Sequence, residues 1–144
     1  MDWRVLVIDD EAAEDVKEVI QGNKVVALPD SITCTLCEKF TDAVDLLRNE
    51  RFDLVILDLK DAAEPEGQSL AGEVVFEALK ACRFTPVIFH TGFPNKVSDL
   101  ASPYVKVVTR SEWETLRASI REIFDTKLPS LIRHIEEEQR KFMW

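Results

Sequence analysis

Apolar and polar residues alternate along the chain in blocks that predict strands and helices by turns. Five short runs rich in β-branched and aliphatic residues predict strands at Arg4 to Ile8, Ile32 to Leu36, Leu54 to Leu57, Pro86 to His90 and Tyr104 to Val108. The stretches between most of these runs carry apolar residues three and four positions apart, which predicts helices. Strands that alternate with helices indicate an α/β fold of the (βα)5 type around a parallel sheet.

Capping and breaking residues predict where several helices begin and end. The first helix is expected to begin after Asp10 and to stop at Gly22, and Thr41 is the expected N-cap of the second. After the fifth strand, Ser111 followed by Glu114 matches a capping box. A strand-to-helix order is therefore predicted along most of the chain.

Two of the predicted strands end in acidic residues. Asp9, Asp10 and Glu11 follow the first strand, and Asp58 follows the third. The carboxyl ends of parallel strands meet at one edge of the sheet, which is where open α/β sheets bind ligands. Carboxylates gathered there repel each other unless a cation joins them. The pattern predicts a site for a hard divalent metal, and Mg²⁺ is the expected ion.

The composition indicates one soluble domain. The chain has 144 residues, of which 46% are hydrophobic and 31% are charged. Its net charge of −9 argues against a nucleic-acid partner, since such proteins usually carry a basic patch. No apolar run approaches the roughly 20 residues of a membrane span, and the first residues lack a signal-peptide pattern. We therefore expect a cytoplasmic protein without a membrane partner.

The cysteines do not predict a disulfide framework or a zinc site. The chain has three of them, and Cys34 and Cys37 spell a C-x-x-C motif inside a predicted strand. Positions three apart on a strand face opposite sides of the sheet. No second motif completes a metal site, so we expect thiols of the core.

Taken together, three features resemble the receiver domain of two-component response regulators. They are the run from Val5 to Glu11, Asp58 at the end of the third strand, and Thr91-Gly92 after the fourth. The resemblance covers about Arg4 to Phe124. It implies a flavodoxin-like, doubly wound parallel sheet with the strand order 2-1-3-4-5.

The resemblance also implies a chemistry for these residues. Asp58 would accept a phosphoryl group from a histidine kinase or a phosphotransfer protein, in a reaction that depends on Mg²⁺. The Thr91 hydroxyl would bind a phosphoryl oxygen, and Gly92 would leave room for it. The implied metal ligands are the side chains of Asp10 and Asp58, that of Asp9 through water, and the backbone carbonyl of Lys60.

The chain departs from the receiver pattern at the end of the fifth strand. Receivers have a lysine there, followed by proline, and this chain has neither at the matching place. Lys106 in a shifted register, Arg110 as a substitute, or no cation at all remain open. Two further departures are a long acidic loop at residues 60–71 and a fourth helix reduced to one or two turns. The loop is either solvated, a shield for the pocket or a source of metal ligands.

The last residues predict a further helix. We expect a receiver domain at residues 1–125 and a helical extension at 126–144, which is too short for an output domain. Its apolar stripe consists of Leu128, Leu131, Ile132, Ile135 and Phe142. The extension either packs back on the domain or serves as a partner-docking or homodimerisation helix, continued through a kink at Pro129.

The predicted function is that of a single-domain response regulator that signals through contacts with a downstream protein and is not an enzyme in the usual sense. One rival is a pseudo-receiver that acts as an interaction or dimerisation module without phosphorylation. A second is a phosphohydrolase of the haloacid-dehalogenase type. That class has an acidic residue two positions after its nucleophile, where this chain has Lys60. His90 is expected to be a hydrogen-bonding neighbour of the pocket and not a ligand.

Overall fold

Five parallel strands form one sheet in the order β2-β1-β3-β4-β5 in the computed structural model of the protein. The structure describes residues 2–22, 30–58, 71–82 and 85–142. The strands are β1 (Asp2–Ile8), β2 (Ser31–Cys37), β3 (Leu54–Leu57), β4 (Val87–Thr91) and β5 (Val105–Thr109). Their order and parallel direction confirm the flavodoxin-like sheet predicted from the sequence.

The described helices flank the sheet and connect its strands. They are α1 (Ala13–Gly22), α2 (Phe40–Asn49), α3 (Ala71–Cys82), α4 (Trp113–Glu122) and α5 (Leu128–Phe142). Between β4 and β5 the chain forms two short 3₁₀ turns, Pro94–Lys96 and Ser98–Leu100. The region predicted to be too short for a full helix therefore contains none.

Two apolar clusters cover the two faces of the sheet. Val5 and Val7 of β1 belong to the cluster that packs on α1 and α4, whereas Leu6 and Ile8 belong to the cluster that packs on α2 and α3. All four residues of β3 are buried. A strand buried on both faces is expected to be continuously apolar, which explains the Leu-Val-Ile-Leu run.

The C-x-x-C cysteines face opposite sides of the sheet, as the strand periodicity predicted. Cys34 packs against the α1/α4 cluster and Cys37 belongs to the α2/α3 cluster. Burial raises the pKa of the Cys34 thiol to about 11. A buried thiol with a raised pKa is a poor nucleophile and a poor metal ligand. Both cysteines are therefore part of the packing.

The two predicted side-chain caps are wrong. Helix α2 begins one residue before Thr41, with Lys39 at the N-cap position, and α4 has Glu112 and not Ser111 at that position. In neither helix does a side chain cap the first turn. At α4 the cause is a tight turn in which the Glu112 amide donates to the Thr109 carbonyl at 2.9 Å. Ser111 lies within this turn after β5 and is therefore not the N-cap residue of α4.

The C-terminal helix continues from α4 without a break in helical backbone. A wide π-type turn, Ile123–Lys127, joins α4 to α5, and the Leu128 amide donates to the carbonyl of Ile123. Proline has no amide hydrogen and its ring crowds the preceding turn. The wide turn ends two residues before Pro129, and such turns are common where a regular helical ladder cannot form.

Within these ranges, none of the helices has the length and apolar character that crossing a bilayer requires. The acidic loop at 60–70, and with it the Lys60 carbonyl, lies outside the described residues.

The start of α5 is tied to the core, and its later turns are not. Leu128 is 5% exposed and lies in the α1/α4 cluster, and Ile132 packs against that cluster. Ile135 is 40% exposed and Phe142 is 87% exposed. The extension thus packs back on the domain over its first turns and leaves an apolar face beyond them.

We predict that Leu128→Ala lowers the free energy of unfolding by about 2–5 kcal/mol, because it removes buried methyl groups and leaves a cavity. The matched control Ile135→Ala, on the same helix but exposed, should stay within about 1 kcal/mol of the wild type. Urea unfolding followed by circular dichroism measures both. Equal effects of the two substitutions would contradict the docking of α5 described above.

Candidate functional site

The acidic residues after β1 and β3 meet at the carboxyl edge of the sheet. Ile8 is paired with Leu57, so Asp9 and Asp58, the next residue of each strand, lie side by side. One carboxylate oxygen from each of Asp9, Asp10 and Asp58 lies within 4.8 Å of the other two. Asp9 is 2% exposed and Asp58 is 4% exposed. The cluster expected from the sequence therefore forms, with two of its three carboxylates almost completely buried.

Local hydrogen bonds fix the Asp9 carboxylate. Its Oδ1 accepts the amides of Glu11 and Ala12, each at 2.9 Å, which orients it across the start of α1. The Asp9 amide donates to the Cys37 carbonyl at 3.1 Å and thereby anchors the strand end to β2. Its Oδ2 is buried and has no hydrogen-bond partner in the described part of the chain. A buried carboxylate oxygen in this situation is a natural ligand for a cation.

Among the described residues, Arg110 is the cation that lies at these carboxylates. Its guanidinium lies 3.2 Å from Asp9 Oδ1, 3.5 Å from Asp58 Oδ2 and 3.5 Å from Glu11 Oε2. The arginine side chain is 29% exposed, so it bridges the crevice and the solvent. Counted over the residues that the structure describes, one positive charge contacts three carboxylates here, so negative charge is in excess.

Lys106, the other candidate for this role, is not brought to the crevice. It is paired with Ile88 in the sheet, well before the carboxyl end of β5. Its Nζ lies 3.3 Å from Glu122 Oε2 at the end of α4. The sequence leaves the register of β5 open. In the structure this register places Arg110, and not Lys106, at the carboxylates.

Thr91 and Gly92 lie at the end of β4, next to β3 in the sheet. Thr91 is completely buried, and its hydroxyl accepts the amide of Phe93 at 2.9 Å. Apart from Gly92 itself and its two chain neighbours, no atom of the described residues lies within 4 Å of where a Cβ on Gly92 would be. The space beside Gly92 is open, as a site for a bound group requires, but a methyl group would also fit.

His90 contributes to the site in a way that the sequence did not predict in detail. Its Nε2 lies 3.0 Å from the Arg110 carbonyl oxygen, and its ring lies 5.0 Å from that of Trp113. Burial, the largest influence, lowers the pKa of this imidazole. A polar residue directly after the apolar run of β4 was the available signal, but its partner, Arg110 just after β5, depends on the sheet register.

The donor set fits Mg²⁺. The three carboxylates supply hard oxygen ligands at mutual distances suited to one small ion, and the lone buried Oδ2 of Asp9 needs such a partner. A magnesium ion bound there would neutralise charge and orient a phosphoryl group.

Comparisons with known proteins bear on the fold. No family model and no curated protein matches the chain. Among solved structures, the receiver domain of the PhyR response regulator from Erythrobacter litoralis is similar. It is 24% identical with a TM-score of 0.65, over 87% of this chain and 92% of that one.

Two further structures are similar over most of the chain. TrrA from Thermotoga maritima, a response regulator solved in complex with Mg²⁺-BeF, is 26% identical with a TM-score of 0.59, over 84% of this chain and 98% of that one. PhyR from Brucella abortus is 21% identical with a TM-score of 0.67, over 94% of this chain but only 54% of that one. The chain thus spans about half of that PhyR.

The strand order, the acidic edge and these likenesses agree with one another. The chain therefore has the receiver fold of response regulators, in a divergent form.

Proposed function

We propose that the protein is a response-regulator receiver that is phosphorylated on Asp58 in a Mg²⁺-dependent reaction. The observation that carries this proposal is the convergence of the Asp9, Asp10 and Asp58 carboxylates within 4.8 Å at the carboxyl edge of the sheet. The receiver fold, and the Mg²⁺-BeF complex of the similar TrrA, support it.

In this proposal, an Asp58 carboxylate oxygen attacks the phosphorus of a phosphohistidine on a kinase or phosphotransfer protein. A P–O bond forms, the P–N bond breaks, and the imidazole leaves with the electron pair and takes up a proton. Asp9 and Asp10, with the Lys60 carbonyl, would help to hold Mg²⁺. Phosphoryl transfer depends mainly on positioning and charge neutralisation, so a crowded acidic crevice is suited to it.

Arg110 and Thr91 would bind the transferred group. The Arg110 guanidinium already lies 3.5 Å from Asp58 Oδ2, and arginine can bind phosphate in a bidentate manner. Thr91 ends the neighbouring strand, and its hydroxyl donates a hydrogen bond once a phosphoryl oxygen is within reach. Lys106 has no part in this proposal, because its partner is Glu122.

Signalling would proceed through protein contacts. The exposed Ile135 and Phe142 lie about two helical turns apart on α5, beyond the part that packs on the core. This face is suited to a downstream protein or to a second copy of the chain. A phosphorylation-dependent shift between two states would change which contact forms.

We predict one phosphoryl group on the wild type after incubation with Mg²⁺ and phosphoramidate, measured by intact-mass spectrometry. Asp58→Asn should carry none, because it lacks the nucleophilic oxygen. Asp45→Asn, an exposed acid on α2, is the matched control and should behave as the wild type. Modification of Asp58→Asn to the wild-type extent would disprove Asp58 as the acceptor.

A second candidate function is a pseudo-receiver that needs no phosphorylation. The observation in its favour is that the Arg110 guanidinium already contacts Asp9 and Asp58. This side chain supplies part of the positive charge that Mg²⁺ would supply. In that case the wild type would acquire no phosphoryl group at any Mg²⁺ concentration.

We predict that Arg110→Gln binds Mg²⁺ about tenfold more tightly than the wild type, because a neighbouring positive charge no longer competes for the carboxylates. In EDTA the same variant should melt at a lower temperature, since the carboxylates then repel each other. Isothermal titration calorimetry and thermal unfolding measure the two effects. Arg110→Lys keeps the charge and is the control, so its Mg²⁺ affinity and melting temperature should lie near those of the wild type. An unchanged Mg²⁺ affinity in Arg110→Gln would contradict the competition between Arg110 and the metal.

We predict that Phe142→Glu abolishes any self-association of the wild type, because it places a charge on the apolar face of α5. Sedimentation velocity over a range of concentrations measures this. Asp125→Asn, exposed in the wide turn, is the control. A wild type that is monomeric throughout would exclude the homodimer and leave a downstream protein as the partner of this face.

A further inference from the structure

His90 is a buried polar residue of β4, directly after the apolar run Val87, Ile88 and Phe89. It is 1% exposed, and its side chain lies on the same face of β4 as Ile88, toward α4. The Trp113 ring, at the start of α4, lies against the imidazole with centroids 5.0 Å apart. Burying a polar group costs stability unless a hydrogen bond compensates. His90 makes one such hydrogen bond.

That hydrogen bond is made to the backbone of Arg110. His90 Nε2 lies 3.0 Å from the Arg110 carbonyl oxygen. A carbonyl only accepts, so Nε2 carries the hydrogen and donates it. Nδ1 is buried without a hydrogen-bond partner among the described residues, which fits the neutral ring. The contact thus uses one defined tautomer.

Consecutive residues of β4 hold both polar backbone groups of Arg110. The Arg110 amide donates to the Thr91 carbonyl at 2.9 Å, and its carbonyl accepts from His90 at 3.0 Å. Arg110 is the first residue after β5, where a strand would otherwise be free to turn away. From this fixed backbone its guanidinium reaches Asp9 Oδ1 at 3.2 Å and Asp58 Oδ2 at 3.5 Å.

We propose that His90, supported by Trp113, is a positioning residue that holds Arg110 over the carboxylates and so sets how tightly the crevice takes a divalent cation. The proposal rests on the Mg²⁺ site of the proposed function. An arginine side chain has large conformational freedom. A fixed backbone reduces the conformational entropy that is lost when the guanidinium binds the carboxylates. A looser backbone would therefore weaken the competition between Arg110 and the metal.

Two substitutions separate the hydrogen bond from the volume of the ring. His90→Phe keeps an aromatic ring against Trp113 but removes the donor. His90→Gln places an amide donor near the position of Nε2 and so can rescue the bond. By titration calorimetry, we expect His90→Phe to bind Mg²⁺ several-fold more tightly than the wild type and His90→Gln to lie near the wild type.

The same substitution in an Arg110→Gln background distinguishes positioning from general packing. If His90 acts through the guanidinium, His90→Phe should cause no further change in Mg²⁺ affinity once Arg110 is replaced. Such loss of effect is the mark of two residues that act as a unit. An equal shift in both backgrounds, or no shift in either, would overturn the proposal.

Failure of the Mg²⁺ site itself would give a different result. If the wild type binds no Mg²⁺, the proposed function fails. The wild type, His90→Phe, Arg110→Gln and the double variant are then compared by urea unfolding in EDTA. Non-additive shifts of the urea midpoint for the two substitutions would then support the positioning of Arg110 by His90. Additive shifts would overturn it, because loss of the backbone hydrogen bond alone affects both backgrounds equally.

Discussion

The repulsion among carboxylates at one edge of the sheet is the constraint on which the site depends. Asp9 and Asp58 are almost completely buried, and Asp10 joins them within 4.8 Å. Buried like charges are stable only where a cation or hydrogen-bond donors face them. Two backbone amides on Asp9 and the Arg110 guanidinium provide part of this compensation. Among the described residues negative charge remains in excess at this edge, and this excess is the basis for the metal ion proposed above.

The parallel sheet produces this constraint by its geometry. Strands β1, β3 and β4 lie next to one another in the order that brings the ends of distant segments together. Asp9, Asp58 and Thr91 are far apart in the sequence, yet each follows or ends a buried strand. The two apolar clusters hold these strands in register. The register of these strands therefore determines the spacing of the carboxylates.

The sequence predicted the parts of this arrangement that depend on local pattern. The apolar runs of β1 and β3 are continuous, and Asp9 and Asp58 end them, so the acidic edge followed from periodicity and topology. The helix starts at Thr41 and Ser111 were predicted wrongly, because the turn before α4 and the entry to α2 satisfy backbone groups without side chains. The choice between Lys106 and Arg110 depended on the register of β5, which tertiary pairing sets and which no local pattern reveals.

The buried polar side chains are concentrated at the candidate site. Within the described ranges, the buried polar or charged residues are Asp9, Asp58, His90 and Thr91. All of them lie at the carboxyl ends of three adjacent strands. Each costs stability that an apolar residue would not, and natural sequences break such local rules mainly at functional sites. His90 belongs to this set although its contact is with the Arg110 backbone and not with a carboxylate. If the proposed function and the proposed role of His90 hold, the site would extend beyond the acidic cluster to the residues that fix the position of Arg110.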